Sequence, residues 1–431
     1  MANTFSGVVH QNKFLASGAA DVNAIVSIKA LVTPGGGQQH GGKLVVGFVG
    51  DGSGSMSGEK WRNARQALID SVGKLPESCE YFVIIGRSTP DIVIPAQRAT
   101  QESKAKALRV LAGIKEDGGT KFAQWLAAAR GEFKKCQGDI RVLLFLTDGE
   151  NDEGGDARLA AELKNCTGLF EVESRGVGDA YKPDQLRLIQ QALGGSVDII
   201  RRPEDLSDDF AAILDRAKSL AMSDVSLQIW TPVGATIEMV KQFGAEILDL
   251  TAKVQDGPNP RTKRIPTGNW GEETRDFHIV VKLDSTAVGK VGDTKLCARV
   301  SLVYSENGQE AEIKLNEGGQ VLAVWTDDEK QSAVINPRVA DYTGQAELAE
   351  RIQEGVKALE AGNEELATRA LQRANALAEQ TGHEATQKLI RKLADVDDKG
   401  TLRIKKNVDK MDVKELDTRS TRTVRTRKVN G

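Results

Sequence analysis

Apolar and polar positions change their rhythm three times along the chain. Over 21–30 they alternate with period two, placing Val22, Ala24, Val26, Ile28 and Ala30 on one side of a strand. From 43 to about 222, short apolar runs take over: KLVVGFVG (43–50), YFVIIG (81–86), IRVLLFLT (140–147), LFEVESRGV (169–177) and SVDIIR (196–201). Amphipathic helical stretches separate them near 59–74, 101–114, 121–135, 157–165, 183–193 and 207–221. Buried strands that alternate with helices predict an α/β domain with a doubly wound, mostly parallel sheet, covered by helices on both faces.

Beyond 223 the helical period stops. SLQIWTPVGATIEMV, AEILDLT, FHIVVKL, KLCARVSLVYS, EAEIKL and VLAVWTDD alternate as antiparallel strands do. The N-terminal strands cannot bury a face alone. Segments 5–33 and 224–328 are therefore expected to build one β-sandwich, with the α/β domain at 43–222 inserted into it. From 345 the pattern is helical again, with Gly362 and Gly382 at stop positions and Asn363 as an N-cap, which predicts a helical hairpin over 345–397. Residues 400–431 carry no sustained apolar period and are expected to form an extended basic tail.

A length of 431 residues calls for two to three domains. Aromatics are only 5%, so the cores must be mainly aliphatic. The net charge of −3 hides an asymmetry: ten Lys/Arg against four Asp/Glu in 401–431 give +6, leaving −9 on the rest. An acidic body, and a tail with no aromatic to stack on bases, disfavour nucleic acid as a partner. No apolar run reaches the ~18 residues of a membrane helix, and MANTFSGVVHQNKF lacks the features of a secretory signal. Cys79, Cys136, Cys166 and Cys297 are scattered without a C-x-x-C pair, which predicts reduced thiols in a cytoplasmic protein. None of His10, His40, His278 and His383 neighbours a cysteine or another histidine, which argues against zinc.

The candidate chemistry lies at strand ends, where doubly wound sheets place their ligands. Asp51-Gly-Ser-Gly-Ser55 follows the first apolar strand, and glycines 50, 52 and 54 are expected to let the backbone turn sharply there. Thr120 follows Gly118-Gly119, and Thr147-Asp148-Gly149 closes another strand. DGSGSM alone is equally an ordinary Gly/Ser turn. Together the three loops offer two carboxylates (Asp51, Asp148) and three hydroxyls (Ser53, Ser55, Thr120), with no nitrogen or sulfur. Such donors select a hard cation, Mg²⁺ or Mn²⁺ ahead of Ca²⁺. Two carboxylates neutralise a divalent ion, which then stays electrophilic enough to favour an Asp or Glu carboxylate from a partner protein.

D-x-S-x-S, Gly-Gly-Thr and T-D-G in this order resemble the von Willebrand factor A domain and its metal-ion-dependent adhesion site (MIDAS), over roughly 43–222. The resemblance implies a Rossmann-like fold with Ser53, Ser55 and Thr120 as metal ligands, and Asp51 and Asp148 binding directly or through water. Gly50 departs from it, standing where the family usually has a bulky residue. VVHQNKFL, WTPVGA, PTGNWGEETRDFH, VWTDDE and LDTRSTRTVR are similar to bacterial intracellular members found beside Ser/Thr kinases, phosphatases and tellurite-type stress proteins.

Other motifs weigh less. GQQHGGK (37–43) mimics a P-loop, but Leu44 replaces the Ser/Thr and Lys43 opens a strand. Asp148, Glu150, Asp152, Glu153 and Asp156 lack the ending of a calcium loop and read as a solvated acidic rim. Thr418, Thr421 and Thr423, interleaved with arginines, fit a basophilic kinase and a phosphothreonine reader. The leading expectation is a non-enzymatic, metal-dependent protein-binding module; the alternative is a phosphorylation-regulated scaffold in a bacterial stress response. Hydrolysis is disfavoured because no His, Lys or unpaired carboxylate is evident as a base.

Overall fold

The runs apolar on both faces become the middle of a mostly parallel sheet in the computed structural model. It describes residues 4–31, 43–152, 156–306, 309–315, 319–396 and 401–423. The glycine-rich stretch 33–42 and Glu153 lie outside these residues. The chain divides into two units, residues 38–223 and residues 1–37 with 224–431.

In the first unit, Leu44–Asp51 lies centrally between Glu80–Gly86 and Ile140–Thr147, followed outward by Glu171–Val177 and Gly195–Ile200. All of these pair in parallel. A sixth strand, Asp91–Arg98, is antiparallel, and the sequence reading did not anticipate it. Pro95 interrupts its pattern, and its position outside Glu80–Gly86 leaves it half-exposed. Helices Glu59–Lys74, Gln101–Ala112, Phe122–Phe133, Asp156–Cys166, Pro183–Leu193 and Leu206–Ser219 connect the strands. Gly47 admits close packing in the central strand: a Cβ there would lie 2.3 Å from Phe82 Cζ and 2.8 Å from Leu143 Cδ1.

The second unit holds two largely antiparallel sheets. One orders Thr4–Gln11, Asp21–Leu31, Thr274–Leu283, Ala235–Phe243 and Ile247–Asp249. The other contains Met222–Trp230, Thr262–Trp270, Thr294–Glu306 and Gln320–Thr326, with Phe14–Ala16 joining in parallel. N-terminal strands therefore enter both sheets. Aromatic rings meet across them: Trp270 lies 5.7 Å from Phe5 and 6.2 Å from Phe277, with Arg275 Cζ 4.4 Å over its ring.

Three helices follow, Pro337–Glu360, Glu364–Gln380 and Glu384–Leu393. The first begins earlier than the sequence pattern suggests, because Asn336 caps it and Pro337 takes the first helical position, where a missing N–H costs nothing. The extended tail expected over 400–431 is corrected by residues 401–423. Leu402–Ile404 pairs with Ala394–Val396, and Lys410–Thr418 is a helix capped by Asp409. Leu402 and Leu416 are buried in the same core as Leu371 and Ile390. A nine-residue helix is too short to display a period in sequence.

All four cysteines are free and buried, and burial pushes the Cys79 thiol up to about 12. Buried histidines shift the other way. Burial, aided by the Lys241 ammonium, pulls His278 down to about 4, and its Nε2 sits 3.0 Å from Asn23 Oδ1. Burial also lowers His383 to about 4. Between pH 6.5 and about 4 the unfolded chain takes up protons that these rings refuse. Stability therefore drops as the pH is lowered through that window, by about 3 kcal/mol per histidine. Urea melts across pH 4–7 should show this slope, reduced by one proton's worth in His278→Gln; an unchanged slope in that variant refutes the assignment.

Candidate functional site

Register builds the site. Because Leu44–Asp51 pairs in parallel with Ile140–Thr147, Gly50 opposite Leu146, the loops after both strands leave the sheet side by side. Thr147 Oγ1 donates to Asp51 Oδ2 at 2.6 Å, and the Ser53 amide donates to Asp51 Oδ1 at 2.8 Å. Ser53 and Ser55 Oγ atoms are 2.9 Å apart, and Ser55 Oγ donates to Asp148 Oδ1 at 2.7 Å. Asp51 and Asp148 are fully buried, Ser53 and Thr120 nearly so, and Ser55 is exposed. Burial pushes the Asp51 carboxyl above the ordinary carboxylate range, against the bonds from Ser53 and Thr147 that pull it down.

Thr120 arrives on the middle loop. Gly54 N donates to Gly118 O at 3.1 Å and Asp117 N to Gly52 O at 2.6 Å, tying that loop to the first. Asp152 ties it to the third: its Oδ2 accepts from Thr120 N at 3.2 Å and its amide donates to Thr120 O at 2.9 Å. A Cβ on Gly149 would lie 3.3 Å from Thr120 Oγ1 and 3.8 Å from Ser55 Oγ, so glycine keeps the space between those hydroxyls open. The structure thus brings all five sequence-predicted residues together.

The glycines act differently from the expectation. Gly50, Gly52 and Gly54 do not adopt positive φ; Gly58 and Gly118 do. Gly50 is buried within the strand, where a Cβ would be 3.0 Å from Leu68 Cδ1, and Gly52 permits close approach to Ile85, 2.4 Å from a would-be Cβ. Tight packing, not sharp turning, is the role of Gly50 and Gly52; Gly54 is exposed, with a would-be Cβ no nearer than 4.0 Å to Gly118 O.

Sequence reasoning missed Lys60. Its Nζ lies 2.6 Å from Asp148 Oδ2, on the oxygen that Ser55 leaves free. This corrects the expectation that no lysine stands near the carboxylates. The acidic rim is also less uniform than expected: Glu150 pairs with Lys182 at 2.6 Å, and Asp152 serves the loop junction.

Among the described residues no three His, Cys, Asp or Glu side chains form a group able to hold a metal ion. A cation here must rely on two carboxylates and several hydroxyls. Those oxygens fit a hard divalent ion, and the Lys60 ammonium already occupies a cation's place against Asp148.

The threonines proposed for phosphorylation lie far from this chemistry in sequence and are enclosed. Thr418 and Thr421 are buried, and Thr421 Oγ1 donates to Glu246 Oε2 at 3.2 Å. Thr423 donates to the Gly244 carbonyl. A kinase would have to unpack this segment to reach Thr418 and Thr421, whereas Thr423 is half-buried.

The von Willebrand factor type A domain profile matches residues 46–150, a span that includes Asp51, Ser53, Ser55, Thr120 and Asp148, and the von Willebrand factor type A C-terminal domain profile matches 376–420. A solved von Willebrand factor type A structure from Catenulispora acidiphila is 37% identical, with TM-score 0.90, over 98% of this chain and 97% of that one. The ArnB paralog VWA2 from Sulfolobus acidocaldarius shares the fold at 14% identity and TM-score 0.64 over 98% of each chain. Inter-alpha-trypsin inhibitor heavy chain H1 of Mesocricetus auratus is 26% identical over 192 residues, and the match spans only 21% of that protein's length.

Proposed function

We propose that this chain, which belongs to the von Willebrand factor type A family, is a divalent-cation-dependent protein-binding module whose ligand is an acidic side chain of a partner. One observation carries the reading. Asp51, Ser53, Ser55 and Asp148, from two strand ends, are joined in sequence: the Ser53 amide donates to Asp51, and side-chain bonds link Ser53, Ser55 and Asp148, with no link longer than 2.9 Å. Thr120 is held beside it by Asp152.

Asp51 and Asp148 supply the charge for a Mg²⁺ or Mn²⁺ ion, and Ser53, Ser55 and Thr120 supply neutral oxygens. A cation bound there contributes a Lewis-acidic position for an outside carboxylate. Thr147 orients Asp51 by donating to Oδ2, and Ser55 orients Asp148 by donating to Oδ1. Ser55 is the exposed member, so a partner would approach over it.

The reading is non-enzymatic. Between residues 43 and 223 the sequence has no histidine, and Lys60 is ion-paired with Asp148. Among the described residues, the Asp51 and Asp148 carboxylates are both engaged, Asp51 by Ser53 and Thr147 and Asp148 by Ser55 and Lys60, which favours holding a cation over moving a substrate proton.

The immobilised 431-residue chain, exposed to extract of its native host in Mg²⁺ buffer, should retain proteins that excess EDTA releases. An Asp148→Asn column should not retain them. Undiminished retention of the same proteins in EDTA would overturn the proposal.

A further inference from the structure

Lys60 opens the helix Glu59–Lys74 in the second position, and its ammonium reaches the buried Asp148 carboxylate at 2.6 Å. Its side chain runs over Gly178, at the end of the strand Glu171–Val177. A Cβ on that glycine would be 3.5 Å from Nζ and 3.6 Å from Cε. Gly178 has a φ of +75°, so the backbone provides a floor for the lysine without a side chain in the way. The lysine side chain is still 33% exposed, so it can swing towards solvent while its stem stays in place.

Resting on the cation-site reading above, we infer that Lys60 is a tethered competitor for the cation, one that makes cation and acidic ligand bind cooperatively. The charges give the reason. Asp51, Asp148 and Lys60 sum to −1. A divalent ion takes this cluster to +1, an unfavourable state for a mostly buried site, and a carboxylate from outside returns it to zero. Without Lys60 the same sequence runs from −2 to zero to −1. The cation then binds well alone, and the carboxylate gains less. Lys60 thereby weakens the ion in the free chain and strengthens the acidic ligand once the ion is in place. Linkage makes this coupling mutual: an acidic ligand raises cation affinity by the factor by which the cation raises its own.

The 431-residue chain and its Lys60→Met, Lys60→Gln and Lys60→Arg variants are titrated with Mn²⁺, free ion being followed by electron paramagnetic resonance. Titrations are run with and without acetate, held at constant ionic strength, as the carboxylate probe. Met and Gln variants should bind Mn²⁺ about tenfold more tightly than wild type, the size of one nearby charge at an intermediate effective dielectric. The Arg variant should resemble wild type. Acetate should tighten Mn²⁺ binding in wild type and Lys60→Arg more than in the neutral variants. Circular dichroism confirms that each variant is folded, and having two neutral substitutions guards against loss of one. Saturable Mn²⁺ binding of equal strength in wild type and both neutral variants overturns the role of Lys60 while leaving the cation site standing. Absence of saturable binding in wild type and in every variant overturns both.

Discussion

Asp51→Ala should lower Mn²⁺ affinity about a hundredfold, roughly 3 kcal/mol, without unfolding the chain. Asp51 contributes half of the negative charge in the site. Its two oxygens are fixed by Thr147 Oγ1 and the Ser53 amide, so no neighbouring carboxylate can take over the same position. Stability should move little, and in cation-free buffer it can rise. Burial holds the Asp51 pKa above its unfolded value, so the folded state resists the charged form at neutral pH. Removing the carboxylate relieves that cost, which acts against the loss of roughly 1–3 kcal/mol for each stranded donor, the Ser53 amide and Thr147 Oγ1. Mn²⁺ titration beside thermal melting separates the two effects. Wild-type Mn²⁺ affinity in a folded Asp51→Ala chain would exclude this carboxylate from the site.

Trp125→Ala should cost about 3–5 kcal/mol, the largest single loss of stability expected here. Trp125 is fully buried in the helix Phe122–Phe133, with Phe122 at 5.5 Å and Phe145 at 5.8 Å. Its Nε1 donates to Arg87 O at 2.8 Å, and its ring covers Gly86, where a Cβ would lie 2.5 Å from the indole. The deletion therefore leaves a cavity and an unpaired carbonyl together. The loss also reaches the site, because the helix carrying Trp125 begins two residues after Thr120. Mn²⁺ affinity should weaken in this variant even at temperatures where it remains folded. Urea unfolding that matches wild type would show that the indole is not a principal support.

The α/β unit was readable because its strands are apolar on both faces and its helices on one. Leu44–Asp51 and Ile140–Thr147 needed no tertiary information. Asp91–Arg98 did, since a strand with Pro95 inside and one half-exposed face resembles a loop. The helix Lys410–Thr418 was missed for another reason: its stability comes from Leu416 entering a core assembled by residues 348–402. Five oxygen-bearing site residues were legible because each stands at the end of an apolar strand or behind a glycine turn. Lys60 was not, as its pairing with Asp148 joins residues 88 apart and depends on how a helix start meets a distant strand end. Asp152 and Thr147 were legible as polar loop residues, but the bonds that give them a purpose exist only between loops.

The last described residues also bear on solubility. Ile247 N donates to Thr421 O at 2.8 Å, Thr423 N donates to Ala245 O at 3.2 Å, and Glu246 bridges Arg422 antiparallel. Ile247–Asp249 is the terminal member of its sheet, a row of backbone groups that another molecule could extend by adding a strand. The chain occupies part of that row with its own backbone. Residues 421–423 thus shield part of that row from strand-to-strand aggregation, with the Thr421 hydroxyl turned inward onto Glu246 and Arg422 turned to water.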